Sequence, residues 1–420
     1  MINSLSGLFN IEDLRKKIIF TLGMIIIFRL GAHISVGGID LARMNALIGQ
    51  GNLMGFLDLF TGGALIKFSI FAMGIVPYIN SSIVMQLLSA VIPQLEELKK
   101  EGESGRKQIA QYTRYLAIGF AVFQSTGMAF WLKDMMLPGY SFPLFLISTI
   151  VSLTAGTAFV MWIAELITDR GIGNGASLII FFGIVSRLPS YIGQTMTLLK
   201  GGGSIIGLLV LLAVFLIMIV SIIIVQEGQR RIHVQYAKRI VGRKVYGGQS
   251  TYIPIRLNQG GVIPIIFASS FLLFPATIAQ FIPNAFFRSI MNLLSPSGSL
   301  YMVLYFGLIF FFSYFYTAIS FNPAELADNI KKYGGFITGI RPGKPTAEYL
   351  EYIVTRLTLV GATFLAIIAV VPNIVEGITR ITTFQGLGST ALLIIVGVAL
   401  DLVRQIQAHL VSRQYERLLV

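Results

Sequence analysis

The sequence predicts an all-α membrane protein of ten transmembrane helices, and three observations carry that prediction. Of 420 residues, 55% are hydrophobic and 12% charged, about half the charged share of soluble domains. The apolar residues gather into ten runs of spanning length instead of scattering as a soluble core would. The third observation is the stretch 54–93, an apolar segment broken at Thr61–Gly62–Gly63, with Pro77 mid-span and Asn80, Ser81 and Ser82 at membrane depth. A bilayer tolerates broken helices with polar groups mainly where they pack in protein or line a cavity. This stretch is therefore expected to lie against a cavity.

Residues 1–17 read as an amphipathic lead-in, Leu5, Leu8, Phe9, Ile11 and Leu14 against Glu12, Asp13, Arg15, Lys16 and Lys17, suited to a membrane surface. Glu12 to Lys17 precede a full-length span with no small-residue cleavage site behind it, unlike a cleavable signal. The expected spans are 18–34, 68–93, 116–132, 143–166, 176–188, 205–225, 262–281, 300–321, 353–371 and 387–403. The fifth is short, with Arg187 and Pro189 marking its far end. Residues 54–60 make about 10 Å of helix, too short to cross; this piece is either a packing element or a re-entrant plug.

Three-quarters of the 32 Lys and Arg residues fall on one side of the membrane when spans alternate from residue 18. The positive-inside bias makes that side, with both termini, cytoplasmic. Ten spans divide into 18–189 and 205–403; because five is odd, the second set enters with opposite polarity, the arithmetic of an inverted repeat. Residues 404–420 form a tail.

Several motifs admit bland readings. Gly171, Gly173 and Gly175 resemble a phosphate loop, but a transmembrane helix precedes them where that fingerprint needs a strand. A tight turn with Asn174 capping the next helix explains them better. His33, His233 and His409 stand alone and read as satisfied or solvated. No cysteine is present, so disulfides and thiolate metal sites are excluded, and no cofactor is expected. The loop 226–261 holds seven basic residues, one acid and interleaved β-formers. It is either a positive-inside anchor drawn to anionic lipid or a protruding dock for an acidic partner or nucleic acid. In the second long loop, 322–356, Pro342 presents Arg341 at a fixed tip.

The span interiors are nearly free of charge, Arg29, Glu165, Arg187 and Asp401 lying toward ends. Proton- and ion-coupled transporters usually carry ionisable groups there. Paired aspartates, a Ser–His pair and an HExxH motif are lacking within the spans, which argues against an intramembrane enzyme. The central candidates are apolar: Ile75, Ile79, Ile180, Ile266 and Ile394. They are either packing residues or a constriction that gates by dewetting.

The chain resembles the SecY family, pore subunits of the bacterial and plastid protein-translocation channel. The resemblance rests on residues 60–64 (FTGGA), 70–88 (IFAMGIVPYINSSIVMQLL), 100–115 (KEGESGRKQIAQYTRY), 167–175 (ITDRGIGNG), 228–239 (GQRRIHVQYAKR), 249–251 with 261–270 (QST, GVIPIIFASS), 321–329, 339–343 and 355–362 (TRLTLVGA). It implies two inverted five-helix halves around an hourglass pore, and a passive channel, not an enzyme. By position the pore ring would be Ile75, Ile79, Ala176, Ile180, Ile266 and Ile394, Ala176 departing from the usual bulky aliphatic. A plug near 54–65 would carry Phe56, Leu57, Phe60, Gly62, Gly63 and Leu65. A lateral gate between the second and seventh spans would use Asn80, Ser81, Ser82, Gln86, Ser269, Ser270 and Thr277. Arg239, Arg243, Lys244 and Arg341 match basic positions that engage the ribosome or the SecA motor. The remaining implied partners are SecE and SecG-like small subunits, signal peptides and nascent chains. The implied location is the plasma membrane, or alternatively the thylakoid.

Overall fold

The computed structural model describes residues 11–48, 58, 60–201, 205–236, 239–241, 244–246, 250–281, 298–379 and 389–419. Its helices, in chain order, begin with α1 (Glu12–Gly31), α2 (Leu41–Ile48), α3 (Val76–Val91), α4 (Pro93–Lys100), α5 (Glu103–Trp131), α6 (Phe142–Arg170), α7 (Gly175–Lys200) and α8 (Ile205–Glu227). Strands β1 (Gln229–Tyr236), β2 (Arg239–Val241), β3 (Lys244–Tyr246) and β4 (Ser250–Arg256) follow. Then come α9 (Ile263–Phe281), α10 (Ser299–Ser320), α11 (Pro323–Lys332), β5 (Gly335–Ile337), α12 (Lys344–Thr379) and α13 (Ser389–Leu419).

A helix occupies each of the ten expected runs, but among the described residues six are long and apolar enough to cross a membrane by length and composition. They are α6, α7 and α8, the α10–α11 stretch, and most of α12 and α13; the pair α3–α4, bent by 99°, makes a seventh if taken as one span. The run 68–93 shows why the sequence count is larger. Residues 62–75 form consecutive turns, and helix begins only at Val76. Gly62, Gly63 and Gly74 have positive φ, as does Phe68 at 43°, a region open to glycine and costly for a side chain. Pro77 therefore stands not mid-helix but in the first turn of α3, where its missing N–H is no loss. The turns are fastened instead to residues 34–36. Val36 N donates to Phe68 O at 2.8 Å and Ile70 N to Ile34 O at 2.9 Å.

The fifth run is corrected in the other direction. α7 passes through Pro189 and ends at Lys200, so neither Arg187 nor Pro189 marks an end. Its start matches expectation. Asn174 Oδ1 accepts from Ser177 N at 3.1 Å, Thr168 Oγ1 accepts from Gly175 N at 2.9 Å, and Gly173 takes φ +88°.

The helices pack chiefly as two groups. α3, α5, α6 and α7 adjoin in series, with α1 against α6; α9, α10 and α12 adjoin, and α8 and α13 join through α12. The principal contacts between groups are α9 against α3 and α5, and α13 against α7. One large apolar core runs through both groups.

The two long loops fold as one body. β1 pairs antiparallel with β4 of its own loop and with β5 of the other, placing Val234 opposite both Thr251 and Ile337. Alternation decides the faces: Ile232, Val234 and Ile255 are buried, while Arg231, His233 and Tyr252 are exposed. The buried face joins Ala327, Ile330, Leu350, Ile353 and Val354 in a second core on α11 and α12. Strands thus enter a chain otherwise built of helix, in the loop whose β-forming alternation the sequence displayed.

Candidate functional site

The four helices that form the two seams, α3, α9, α7 and α13, are also those that carry the central isoleucines. Ile75, immediately before α3, is 1% exposed, Ile79 6%, Ile180 0%, Ile266 5% and Ile394 0%, and all five belong to the one large core. Ala176 is half-buried and packs against it. Four of these residues, Ile79, Ala176, Ile180 and Ile266, line a cavity of ≈ 300 Å³ together with Tyr78, Ser82, Gln86 and Phe267. Its polar wall includes Arg114, whose Nε donates to Glu165 Oε1 at 2.7 Å. The cavity lining is thus mostly apolar, with Ile79, Ala176, Ile180 and Ile266 as an apolar floor and Arg114, Glu165 and Asp169 bringing charge. Such a floor holds no fixed charge or donor for a small solute, yet methyl-rich side chains can part around a larger one.

The turns before α3 seat against the same core. Phe60, Ala64 and Leu65 are buried in it, and a Cβ on Gly62 would lie 2.8 Å from Gly183 Cα on α7. Gly62 is thus where two backbones meet. Two arginines fasten the segment. Arg29 Nη1 donates to Gly62 O at 2.8 Å, and Arg187 Nη2 pairs with the carboxylate of Asp58. Asp58 is fully buried, and its other oxygen accepts from Ile66 N at 2.9 Å. Sequence reasoning missed Asp58, although it is the one acid between Asp40 and Glu96. That isolation was the available signal, because a lone acid in an apolar stretch needs a partner. Phe56 and Leu57 lie outside the described residues.

Along the α3–α9 seam, Asn80, Ser81, Ser269 and Ser270 are buried and Ser82 and Gln86 half-buried. Thr277 is placed further along α9. Ser81 Oγ donates to Pro77 O at 2.8 Å, Ser269 Oγ to Ile266 O at 2.9 Å, and Gln86 Nε2 to Ser82 Oγ at 3.2 Å. These bonds stay within each helix. Asn80 Nδ2 is buried without a partner.

At the sheet, Arg341 is exposed between Gly339 (φ +84°) and Gly343 (φ +103°), its carbonyl accepting from Thr346 Oγ1 at 2.8 Å. Arg231 lies 4.8 Å from the centre of the Tyr252 ring. Arg239 and Lys244 stand on the β2–β3 hairpin, and Arg243 lies outside the described residues. The bundle and its site define a polytopic helical membrane protein whose central isoleucines lie in one apolar core.

The SecY family model matches residues 69–403. The protein translocase subunit SecY of Synechococcus elongatus is 50% identical over 416 residues, covering 96% of this chain and 94% of that one. Its counterpart in Thermotoga maritima is 46% identical over 419 residues, covering 97% and 95%. A solved protein-conducting channel shares the fold with TM-score 0.67 at 17% identity over 95% of this chain and 93% of that one. Sec61 in the canine ribosome–channel complex does so with TM-score 0.63 at 15% identity, over the same shares. The chain belongs to the SecY family, whose members are protein-translocase subunits.

Proposed function

We propose that this chain is the central pore of a protein-conducting channel, passing unfolded polypeptides across a membrane and releasing apolar helices sideways into lipid. The observation that carries this reading is the convergence of Ile75, Ile79, Ile180, Ile266 and Ile394, from both helix groups, in one apolar core, with Ile79, Ile180 and Ile266 also lining one cavity. An apolar ring supports no continuous water wire when closed, and it deforms around extended chains of any sequence. Phe60, Gly62, Gly63 and Leu65 belong to the plug that covers it, held by Asp58–Arg187 and Arg29. The α3–α9 seam is the lateral gate. With the Ser81 and Ser269 hydroxyls bonded inside their own helices, packing carries much of the seam's closure, and a signal helix partitioning into lipid competes for it against few cross-seam bonds, worth about 1 kcal/mol each.

The basic sheet module docks the driving partner, and ribosomal RNA or an acidic motor surface such as that of SecA suits its charge. The module and both termini face the cytoplasm, which the distribution of Lys and Arg supports. Small SecE- and SecG-like subunits complete the assembly, and anionic lipid flanks the basic loops.

The test exploits the absence of cysteine. One cysteine replaces Ile266 and another is moved along an arrested secretory chain still attached to its ribosome. Disulfide formation should track the chain position that lies mid-membrane. No cross-link from any position, with the ribosome bound, would refute the pore assignment.

A further inference from the structure

The sheet module meets the bundle at a corner where α8 ends and β1 begins two residues later. There Arg404, from α13, gathers three acceptors. Its Nη2 donates to the carbonyl of Gln226, Nε to Glu227 Oε1 at 3.1 Å, and Nη1 to Asp401 Oδ1 at 3.3 Å. Carbonyls of a last helical turn have no partner within their own helix, and a cation there also complements the negative end of the helix dipole. Arg404 therefore caps α8 from another helix. Two close approaches fasten the same corner. A Cβ on Gly397 of α13 would lie 2.1 Å from Val262 Cγ2, four residues before Ile266. One on Gly361 of α12 would lie 2.3 Å from Leu257 O, just beyond β4. From this corner α13 runs ten residues back to Ile394, about 15 Å, and lies along α7 as well.

We propose that Arg404 is the positioning residue through which engagement of the sheet module is transmitted to the pore ring. The proposal rests on the reading above that the module docks a partner. Close-packed helices move as bodies, so a displacement of β1 that reaches α13 through the Arg404 fork reaches Ile394 and, by way of Gly397 against Val262, the start of α9. A fork holding three oxygens transmits direction, which a single ammonium on a flexible stem does not.

The full-length chain, assembled with its membrane partners and reconstituted in vesicles, is compared with Arg404→Met, Arg404→Lys, Glu227→Gln and Arg341→Glu. Two quantities are read: ribosome binding, and translocation of a secretory chain made by the bound ribosome. Arg404→Met should bind ribosomes as the parent does and lose about tenfold in translocation, within the range coupling residues produce; Arg404→Lys should fall between. Unchanged translocation, or binding and translocation lost in parallel, would overturn the proposal. If Arg404→Met fails to fold, Glu227→Gln, at an exposed carboxylate, should show the same separation with a loss of about threefold, and its absence overturns the idea equally. Arg341→Glu distinguishes the two readings. Unchanged ribosome binding in that variant refutes the docking map, while selective loss of translocation in Arg404→Met would still support the tie.

Discussion

Asp58 shows how much one side chain decides in this protein. A carboxylate removed from water and lipid headgroups persists only when paired and hydrogen-bonded; Arg187 and the Ile66 amide supply both conditions. Because Asp58 lies in the segment seated over the apolar core and Arg187 lies on α7, the pair ties that segment to the wall. Asp58→Asn leaves Arg187 without its counter-charge. Removing one partner of a buried pair costs about 3 kcal/mol or more, enough to shift a closed segment toward release. The resting conductance of planar bilayers holding Asp58→Asn should exceed that of the parent. Equal conductance would show that the pair does not hold the segment. Arg29 and Arg187 were legible as charges in apolar runs, although Arg187 stands well inside α7 and not near its end. Their shared target was not, because sequence distance hides which carbonyl or carboxylate a long side chain reaches.

At the scale of the element, the interruption before α3 sets the architecture. Turns at 62–75 expose backbone groups that a helix would have satisfied, and they are answered by residues 34–36 and by close contact with α6. A Cβ on Gly156 would lie 1.8 Å from Ile70 O, so that glycine is the seat for the turn segment. Gly156→Leu forces helix and turns apart. It should lower the melting temperature in detergent and reduce yield, by a destabilisation of about 1–3 kcal/mol or more; unchanged melting would remove the seat. The break itself was readable from Thr61–Gly62–Gly63, and its extension to Ile75 was not. Positive φ at Phe68 and the start of helix at Val76 depend on what the segment packs against. α7 is the converse case. Pro189 signals a stop, yet neighbours sustain the helix past it, as neighbouring helices commonly do in membranes.

At the scale of the whole molecule, two seams bring four helices to one apolar core, and one sheet binds two loops about a hundred residues apart. Replacing Ile79 and Ile266 together by glycine removes branched side chains contributed from opposite sides of the α3–α9 seam. That double variant should leak ions at rest in a planar bilayer, with its ribosome binding intact; unchanged conductance would argue that the isoleucines only pack. The loss of two buried aliphatic side chains also costs about 2–5 kcal/mol each, so thermal melting is measured alongside to separate leak from unfolding.

Membrane embedding, a helix at each expected apolar run, the Asn174 turn and the basic character of both loops were written in the sequence. Each depends on local composition: apolar runs partition into lipid, glycines open turns, and lysines and arginines remain in water. The residue types at the centre were written there too: Ile75, Ile79, Ile180, Ile266 and Ile394 were all legible as its apolar candidates. Tertiary structure alone decided that Asp58 meets Arg187, that Arg404 closes α8, that β5 completes the sheet begun by β1, and which isoleucines share a floor. These are contacts between residues far apart in the chain, and their partners are selected by the shape and charge left over when whole helices pack, a quantity no window of sequence contains.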